Sequence, residues 1–387
     1  MHHPPFCPNP VCACHQQSCS AQLWYLRRGS YSTRTFGTVP RFQCKVCGKG
    51  FSAQTFSLDY WVKRRLSYPR ILQEITGCSS TRHISRLLSA SCDSIQNRVA
   101  RLCRNALVMQ EQAVSELPCA EHFAADGFVS FTGSQYHPHH LNTLVGSGSE
   151  FVYFWNEVTV RRTGRMTPAQ KLKRAELERE WKPMKDGITH SFIELYGRLT
   201  HSVCRRLPES TILSTDEHRS YIRAWRKTAH TVHLGEKGVL THQQISSKRP
   251  RTRDNPLFPV NYIDREIRKD LKNHVRETVC FARNQTHMMQ RASLYLWHHN
   301  FRKPHRIHDN TQVEEPSHAE VAGLPAARLS SLMWGFFSRR SFLSRSCVTG
   351  SHETLWLNRL TTPMKKKRDY CPKHVSRQAG SAHSLGQ

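Results

Sequence analysis

Apolar residues recur at helical spacing between residues 69 and 106, and this pattern predicts three short helices. Pro69 suits the first turn of the first helix, which ends at Gly77. Ser80 can cap the second helix, and a turn around Ser89 leads into the third. The apolar side of the third helix is formed by Ile95, Val99, Leu102 and Cys103.

From residue 120 to residue 300, short apolar runs alternate with helical segments, as is typical of an α/β domain. We predict strands at residues 122–131, 141–145, 151–160 and 211–216, the first three forming an antiparallel meander. The complete organisation that we predict is a Cys-rich unit at 1–58, a helical unit at 59–115, an α/β domain at 120–300 with a helical insert at about 165–205, and a C-terminal extension at 301–387. In the extension, the aromatic residues around Trp334 and Trp356 predict ordered packing. Its Lys365–Arg368 run either contacts phosphates or forms a solvated face.

Charge narrows the class of partner. The chain has 387 residues, with 57 Lys and Arg against 29 Asp and Glu, which gives a formal net charge of +28. Such a surplus attracts nucleic acid, because neutralised phosphates release counterions. A ribosomal-type basic protein is the alternative. We find no apolar run long enough for a membrane span and no export signal, so we expect a cytoplasmic protein, in which 14 cysteines stay reduced.

The first 58 residues contain a candidate zinc site. Cys44 and Cys47, followed by Gly48, form a zinc-knuckle sequence in which two thiolates can bind one ion. Cys7 and Cys12 supply a second pair, at wider spacing, and the rival ligands are Cys14, His15 and Cys19. A structural zinc would stabilise a unit too small to bury much core.

The third predicted helix resembles a DNA-reading helix. Its polar side is formed by Ser94, Gln96, Asn97, Arg98, Arg101 and Arg104, which we predict to point outward. Gln, Asn and Arg are the side chains that read adenine and guanine edges in the major groove. An ordinary helical hairpin with a solvated polar face is the alternative.

Two aspartates lie within or at the end of predicted strands. Asp126 interrupts the apolar run at 122–131, and Asp216 ends the strand at 211–216. A buried strand does not hold an isolated carboxylate without a partner. Two such carboxylates can bind Mg²⁺, and two ions about 4 Å apart would activate the attacking oxygen and stabilise the leaving one.

A third carboxylate is expected from the helix at residues 261–271. Ile263, Ile267, Leu271 and Val275 recur every four residues and define the buried face of this helix. Asp264 lies within that face, whereas Glu266 lies about 120° from its centre and is expected to point toward solvent or DNA. Both remain candidates, with Asp264 ahead of Glu266 and Glu277 third.

In this order, the motifs resemble those of bacterial insertion-sequence transposases of the DDE class that carry a zinc ribbon and a helix-turn-helix before the catalytic domain. The matching segments are Cys44–Ser52, Ala125–Gly127, Leu213–Tyr221, Asn255–Asp270 and Arg276–Phe281. Many relatives have Asn-x-Ile-Glu where this chain has Asp264, so either Asp264 replaces that acid or Glu266 serves instead.

The resemblance implies an RNase H-like catalytic core with two Mg²⁺ ions that cuts double-stranded DNA at element ends and joins it to target DNA. It also implies a homo-oligomer. Asp126, Asp216 and either Asp264 or Glu266 would bind the ions. Two other functions remain open, a zinc-ribbon DNA-binding regulator without catalysis and an RNase H-like nuclease without strand transfer. A decayed, inactive copy is a further possibility.

Overall fold

The protein is described by a computed structural model that covers residues 3–16, 24–204, 210–275, 278–306 and 315–364. It is a mixed α/β structure with a three-stranded sheet and a five-stranded sheet. The strands are β1 Tyr25–Thr33, β2 Gly37–Cys44, β3 Gly50–Ser52, β4 Phe123–Phe131, β5 Pro138–Gly146, β6 Val152–Thr159, β7 Thr211–Asp216 and β8 Leu240–Ile245. The helices are α1 Ala13–Gln16, α2 Tyr68–Thr76, α3 Thr81–Leu87, α4 Cys92–Glu116, α5 Pro168–Glu180, α6 Gly187–Cys204, α7 Arg219–Lys227, α8 Ala229–Glu236, α9 Phe258–Asp270, α10 Gln285–Phe301, α11 His318–Val321, α12 Ala326–Ser338 and α13 Gly350–Trp356.

Strands β1, β2 and β3 form an antiparallel ribbon at the N-terminus. Its small core contains Trp24, Tyr25 and Phe42 beside the cysteines. Phe51 stacks on Trp24 with ring centroids 5.6 Å apart. So few apolar side chains give a ribbon of this size little stability from burial alone.

The three helices predicted from residues 69–106 are α2, α3 and α4, and each begins with a serine cap, at Ser67, Ser80 and Ser91. Helix α4 continues to Glu116, ten residues beyond the predicted segment. Its apolar side belongs to the same hydrophobic core as the large sheet, so the core is continuous across the boundary predicted at residues 115–120.

The large sheet has the strand order β6-β5-β4-β7-β8. Strands β4, β5 and β6 form the predicted antiparallel meander, and β7 and β8 continue the sheet in parallel with β4. Helices cover both of its faces. Phe128 lies beneath Arg268 of α9, whereas Asn142 donates a hydrogen bond to Ser191 of α6. Asn142 pairs with Gly127, the neighbour of Phe128, and adjacent residues of a strand point to opposite faces.

The C-terminal extension packs against α4 and the sheet. Phe336 of α12 stacks on Trp297 with ring centroids 3.9 Å apart, and Trp356 of α13 is buried. Arg104 of α4 donates to the Trp356 carbonyl. The His352 ring donates from Nε2 to the Trp155 carbonyl, and its Nδ1 lies 3.0 Å from the Glu111 carboxylate. The predicted ordered packing is confirmed for Phe336 and Trp356, whereas Trp334 is 62% exposed. The Lys365–Arg368 run lies outside the described residues. Within the described ranges, every helix is too short or too polar to cross a bilayer.

Candidate metal-binding cleft

Asp126 and Asp216 lie side by side at the point where two parallel strands separate. The β4–β7 ladder pairs Phe123 with Leu213 and Ala124 with Ser214, and then ends. The same register places Asp126 level with Asp216 on the neighbouring strand. Both carboxylates lie beyond the last pair and line a cleft between the sheet and α7 and α9.

Local hydrogen bonds orient both side chains. Asp126 Oδ1 accepts from the Gly127 backbone N–H at 2.7 Å and from the Tyr221 hydroxyl at 3.0 Å. Asp216 Oδ1 accepts from the His218 backbone N–H at 2.8 Å, and α7 begins at the following residue. Asp216 therefore sits in the short turn that joins strand to helix, and Tyr221 reaches back from α7 to Asp126.

Asp264 reaches the same space from α9, which packs on β4 and β5. Its side chain is buried in the same helix as Ile263 and Ile267, as predicted, although α9 ends at Asp270 and Val275 lies beyond it. The Oδ1 atom of Asp264 is buried and has no hydrogen-bond partner among the described residues. A buried carboxylate oxygen left unpaired carries a large desolvation cost, and a cation would remove much of it.

The carboxylates perturb one another electrostatically. Burial, followed by the negative charge of Asp216, raises the pKa of Asp126 to about 6, against hydrogen bonds that lower it. Burial, followed by the charge of Asp126, raises the pKa of Asp264 well above its usual value, and Arg268 and Arg251 only partly offset this. Burial is therefore the main cause of both shifts, and repulsion between neighbouring aspartates adds to it, although four arginines line the same cleft.

The cleft has a volume of about 740 Å³, and its walls are rich in arginine. Its charged and polar lining consists of Asp126, Asp216, Asp264, His140, His218, Tyr221, Tyr262, Thr163, Asn261, Arg161, Arg251, Arg265 and Arg268. Among the described residues, the three aspartates do not form a cluster whose ligand atoms all lie within 4.8 Å of one another. Without a cation, mutual repulsion favours such a separation. A shared ion would require the carboxylates to move closer together.

Glu266 does not join this group. It was expected to face solvent or DNA, but it is buried and contacts two lysines instead. Lys303 Nζ lies 2.7 Å from Oε2, and Lys269 Nζ lies 2.9 Å from Oε1. Burial raises the pKa of Glu266, but these lysines more than offset that effect and lower it. The prediction of exposure was wrong because residues after α10 cover this side of α9. Glu277, the third candidate, lies outside the described residues.

Gly127 is required by the packing beside Asp126. A Cβ atom there would stand 2.4 Å from side-chain atoms of both His140 and Asn142. His140 thus lies directly over the Gly127 backbone and lines the cleft. Burial lowers the pKa of His140 to about 4, so its ring is neutral at neutral pH.

The four predicted cysteines form a separate cluster in the N-terminal ribbon. Ligand atoms of Cys7, Cys12, Cys44 and Cys47 all lie within 4.8 Å of one another. The Sγ–Sγ distances are 3.6 Å between Cys7 and Cys47 and 3.8 Å between Cys12 and Cys44. Such a group, with three buried members and one exposed, could hold a structural zinc ion.

The ribbon backbone supports this arrangement. Gly48 has φ +69° and donates to the Cys44 carbonyl at 3.0 Å, which closes the predicted turn after Cys47. Burial raises the pKa of Cys47, but hydrogen bonds from the Asn9 side chain and the Lys49 backbone lower it to about 7. A thiol with this pKa readily becomes the thiolate that binds metal.

The alternative zinc ligands lie elsewhere. The His15 ring bonds to the Cys7 carbonyl at 2.6 Å and to Ser344 Oγ at 2.8 Å, so both of its nitrogens already have partners. Cys14 is buried beside the cluster without belonging to it. Cys19 lies outside the described residues.

The expected DNA-reading face of α4 differs most from the prediction. Its three arginines, Arg98, Arg101 and Arg104, are buried instead of pointing outward. Arg101 Nη1 donates to the Leu58 carbonyl at 2.7 Å, and its guanidinium lies 3.9 Å from the centre of the Tyr60 ring.

The other residues of that face are partly accessible. Gln96 donates to Gln290 of α10 at 2.7 Å, and Ser94 Oγ accepts from Ser91 Oγ at 2.9 Å. Asn97 is exposed and accepts from Arg101 at 2.7 Å. Of the predicted DNA-reading residues, only those in the first turns of α4 are therefore accessible to a duplex.

Three cleft residues had no role assigned from the sequence. Tyr221 follows Asp216 by five residues, which places it on the first turns of α7, and that spacing is a usable signal. Arg251 belongs to the basic segment between β8 and α9, and Arg268 lies one helical turn after Asp264. The sequence signal available for Arg251 and Arg268 was their position before and after the candidate acid Asp264.

No family model matches this chain, and a search of curated proteins finds no significant match.

Proposed function

We propose that this protein is a DDE-type transposase that cleaves DNA at element ends and transfers the freed strand to target DNA. The observation that carries the proposal is the convergence of Asp126, Asp216 and Asp264, from two parallel strands and one helix, on one arginine-lined cleft. Perturbed carboxylates in a cleft are typical of catalytic sites.

The sheet supports an RNase H-like core. Three antiparallel strands are followed by two strands that extend the sheet in parallel, with helices on both faces. The two strand aspartates lie on β4 and β7, where the chain crosses from the antiparallel part to the parallel part. This position agrees with what the resemblance of the sequence motifs implies.

The chemistry of the cleft suits divalent ions with oxygen ligands. Asp126, Asp216 and Asp264 would hold two Mg²⁺ ions, which when bound activate the attacking oxygen and stabilise the leaving one. Arg251, Arg265 and Arg268 line the same space and can neutralise the phosphates on either side of the scissile bond. The Tyr221 hydroxyl holds Asp126 in place.

Exposed basic residues support DNA as the substrate. The formal net charge is +28, and exposed arginines lie on the β1–β2 ribbon and on α3. These residues are Arg27, Arg28, Arg34, Arg41, Arg82 and Arg86. Contacts from α3, the first turns of α4 and the ribbon would provide the phosphate attraction that positions a duplex. We further propose that the enzyme acts on the bacterial nucleoid as a homo-oligomer.

Metal binding provides a first test that needs no DNA. Mn²⁺, titrated into chelator-treated full-length protein and followed by electron paramagnetic resonance, should bind the wild type. D126N, D216N and D264N should each lose at least tenfold in Mn²⁺ affinity. E266Q is the matched control, because Glu266 is an equally buried acid of α9 that lies outside the cleft. Equal Mn²⁺ affinity in wild type and all three aspartate variants would exclude the proposed metal site.

Activity is tested with labelled duplexes that carry the DNA flanking the gene, a target plasmid and Mg²⁺. Products in which label is joined to plasmid support a transposase, whereas cleavage without joining favours an RNase H-like nuclease. Binding without either product, unchanged in D126N, favours a DNA-binding regulator.

A further inference from the structure

A second group of metal-ligating side chains surrounds the turn between β5 and β6. Ligand atoms of Glu150, His305 and His318 all lie within 4.8 Å of one another. Glu150 and His318 are buried and His305 is partly buried. The turn adjoins Phe123 at the start of β4, which pairs with Gly146. The group therefore lies near the start of β4, whereas the aspartate cleft lies farther along the strand.

The backbone brings these residues together from three places in the chain. Glu150 closes the turn in a left-handed conformation, with φ +53°. An isolated antiparallel bridge pairs Pro304 with Ser317, and the His305 N–H donates to the Pro316 carbonyl at 2.9 Å. Because of this bridge, the rings of His305 and His318 lie 5.1 Å apart, edge to face.

Both histidine rings are oriented by carbonyl groups of the same turn. His318 Nδ1 donates to the Ser149 carbonyl at 2.8 Å, and the His305 ring bonds to the Gly148 backbone. The Nε2 atoms of both rings are buried and have no hydrogen-bond partner among the described residues. Histidines that ligate metals commonly donate the other ring nitrogen to a carbonyl in this way, which fixes the tautomer and directs the lone pair at the ion.

We propose that Glu150, His305 and His318 form a second metal site, which binds Zn²⁺ or a similar divalent transition metal. Two neutral imidazoles and one carboxylate are a ligand set that zinc accepts, with a fourth position left for water.

One positive group competes for the carboxylate. Arg306 Nη1 lies 3.2 Å from Glu150 Oε2, but the Arg306 side chain is 54% exposed and can turn into solvent when an ion binds. His299 supports the site from behind, because its ring stacks on His318 at 3.8 Å and its Nε2 bonds to the Glu150 carbonyl at 2.9 Å.

A metal ion at this site would cross-link the C-terminal extension to the β5–β6 turn of the sheet. His318 begins α11, the first helix of the extension, and Glu150 belongs to the β5–β6 turn. The ion would thus join two segments more than 150 residues apart in the chain, in addition to the bridge at Pro304. Such a cross-link stabilises the folded state by its binding free energy.

The test is the zinc content of the full-length protein, measured by mass spectrometry after dialysis in excess Mg²⁺, so that ions in the aspartate cleft are not counted. Wild type should bind two zinc ions per chain, one at the four cysteines and one at this site. H305Q and E150Q should each bind one, and H298Q is the matched control that should bind two. His298 is a neighbouring histidine of α10 that does not belong to the group.

Cobalt separates the two sites by their ligands. In C7S/C44S/C47S protein loaded with Co²⁺, the remaining site should give visible d–d absorption without sulfur-to-cobalt charge transfer, and adding H305Q should remove that absorption. Matching circular dichroism spectra of H305Q and wild type would show that the variant folds. Equal zinc content in wild type, H305Q and E150Q, with no cobalt absorption in C7S/C44S/C47S, would overturn the proposal.

Discussion

Replacing Asp126 with asparagine should stabilise the metal-free protein at alkaline pH, although it removes a proposed metal ligand. Asparagine keeps an oxygen that can accept from Gly127 N–H and from the Tyr221 hydroxyl, so the main change is the loss of charge. Burial, followed by the charge of Asp216, raises the pKa of the aspartate from 3.8 to about 6. The pKa of this carboxyl group is higher in the folded protein than in the unfolded one. Below the unfolded value its contribution to the free energy of unfolding is fully present, and that contribution is lost as the pH rises through the folded value.

The magnitude follows from the size of the shift. A rise from 3.8 to about 6 is roughly 2 pKa units, or about 3 kcal/mol at ~1.36 kcal/mol per unit. D126N should therefore exceed the wild type in free energy of unfolding by less than ~1 kcal/mol near pH 4 and by about 3 kcal/mol near pH 8. Nearly all of the increase should fall between these two pH values.

Urea unfolding in the presence of chelator, followed by tryptophan fluorescence between about pH 4 and pH 8, measures this difference. D254N is the control, since Asp254 is exposed to solvent and its replacement should give a small, pH-independent change. Added Mg²⁺ should then stabilise the wild type and leave D126N unchanged. A stability difference that is the same at both ends of the pH range would refute the reasoning.

Four further predictions concern packing and charge. Gly127→Ala should lower the free energy of unfolding by about 1–3 kcal/mol, read from the urea midpoint, because its methyl group would stand 2.4 Å from His140 atoms. Arg101→Ala should cost about 1–3 kcal/mol of stability, since its charged hydrogen bond to the Leu58 carbonyl and its contact with the Tyr60 ring are lost, while the Tyr68 hydroxyl still donates to Leu58. Arg82→Ala, on the exposed side of α3, should leave stability unchanged. In DNA titrations at several salt concentrations, its slope of log affinity against log salt should fall by about 0.9. Glu266→Gln should lower the free energy of unfolding at neutral pH, because the pKa of Glu266 is lowered in the folded protein by its lysine partners. In acid, wild-type Glu266 becomes protonated and loses these ion pairs, so the difference between variant and wild type should vanish.

The strands and the aspartates were predictable because local pattern determines them. Four apolar runs correspond to β4, β5, β6 and β7 within a few residues. The prediction that Asp264 belongs to a buried face needed only the spacing of Ile263 and Ile267 along one helix. The four-cysteine cluster also followed from spacing, with Gly48 supplying the turn.

The environment of α4 was not predictable in this way. Its periodicity shows which side meets α2 and α3, but it does not show that residues 326–364 return to cover the other side. Phe336 and Arg339 accept hydrogen bonds from Asn105 of α4, and Trp356 accepts one from Arg104. Contacts across more than 200 residues leave no periodic signal, so the arginines of α4 looked like surface residues. The burial of Glu266 was missed because its partner Lys303 lies 37 residues later, beyond α10, and the periodicity of α9 does not report such a contact.

The distribution of perturbed acids supports a cation in the aspartate cleft. Among the described acids with a resolved pKa shift, Glu111, Glu178 and Glu266 have lowered values, because each is paired with a basic side chain. Only Asp126 and Asp264 have raised values, and both line the cleft. The acids with lowered pKa values are thus paired with basic side chains, whereas the two cleft aspartates are affected mainly by burial and by a neighbouring aspartate. Arg268 and Arg251 offset this only in part at Asp264. A divalent ion would stabilise both aspartates together, so the destabilisation expected in the metal-free protein and the proposed metal affinity have the same origin.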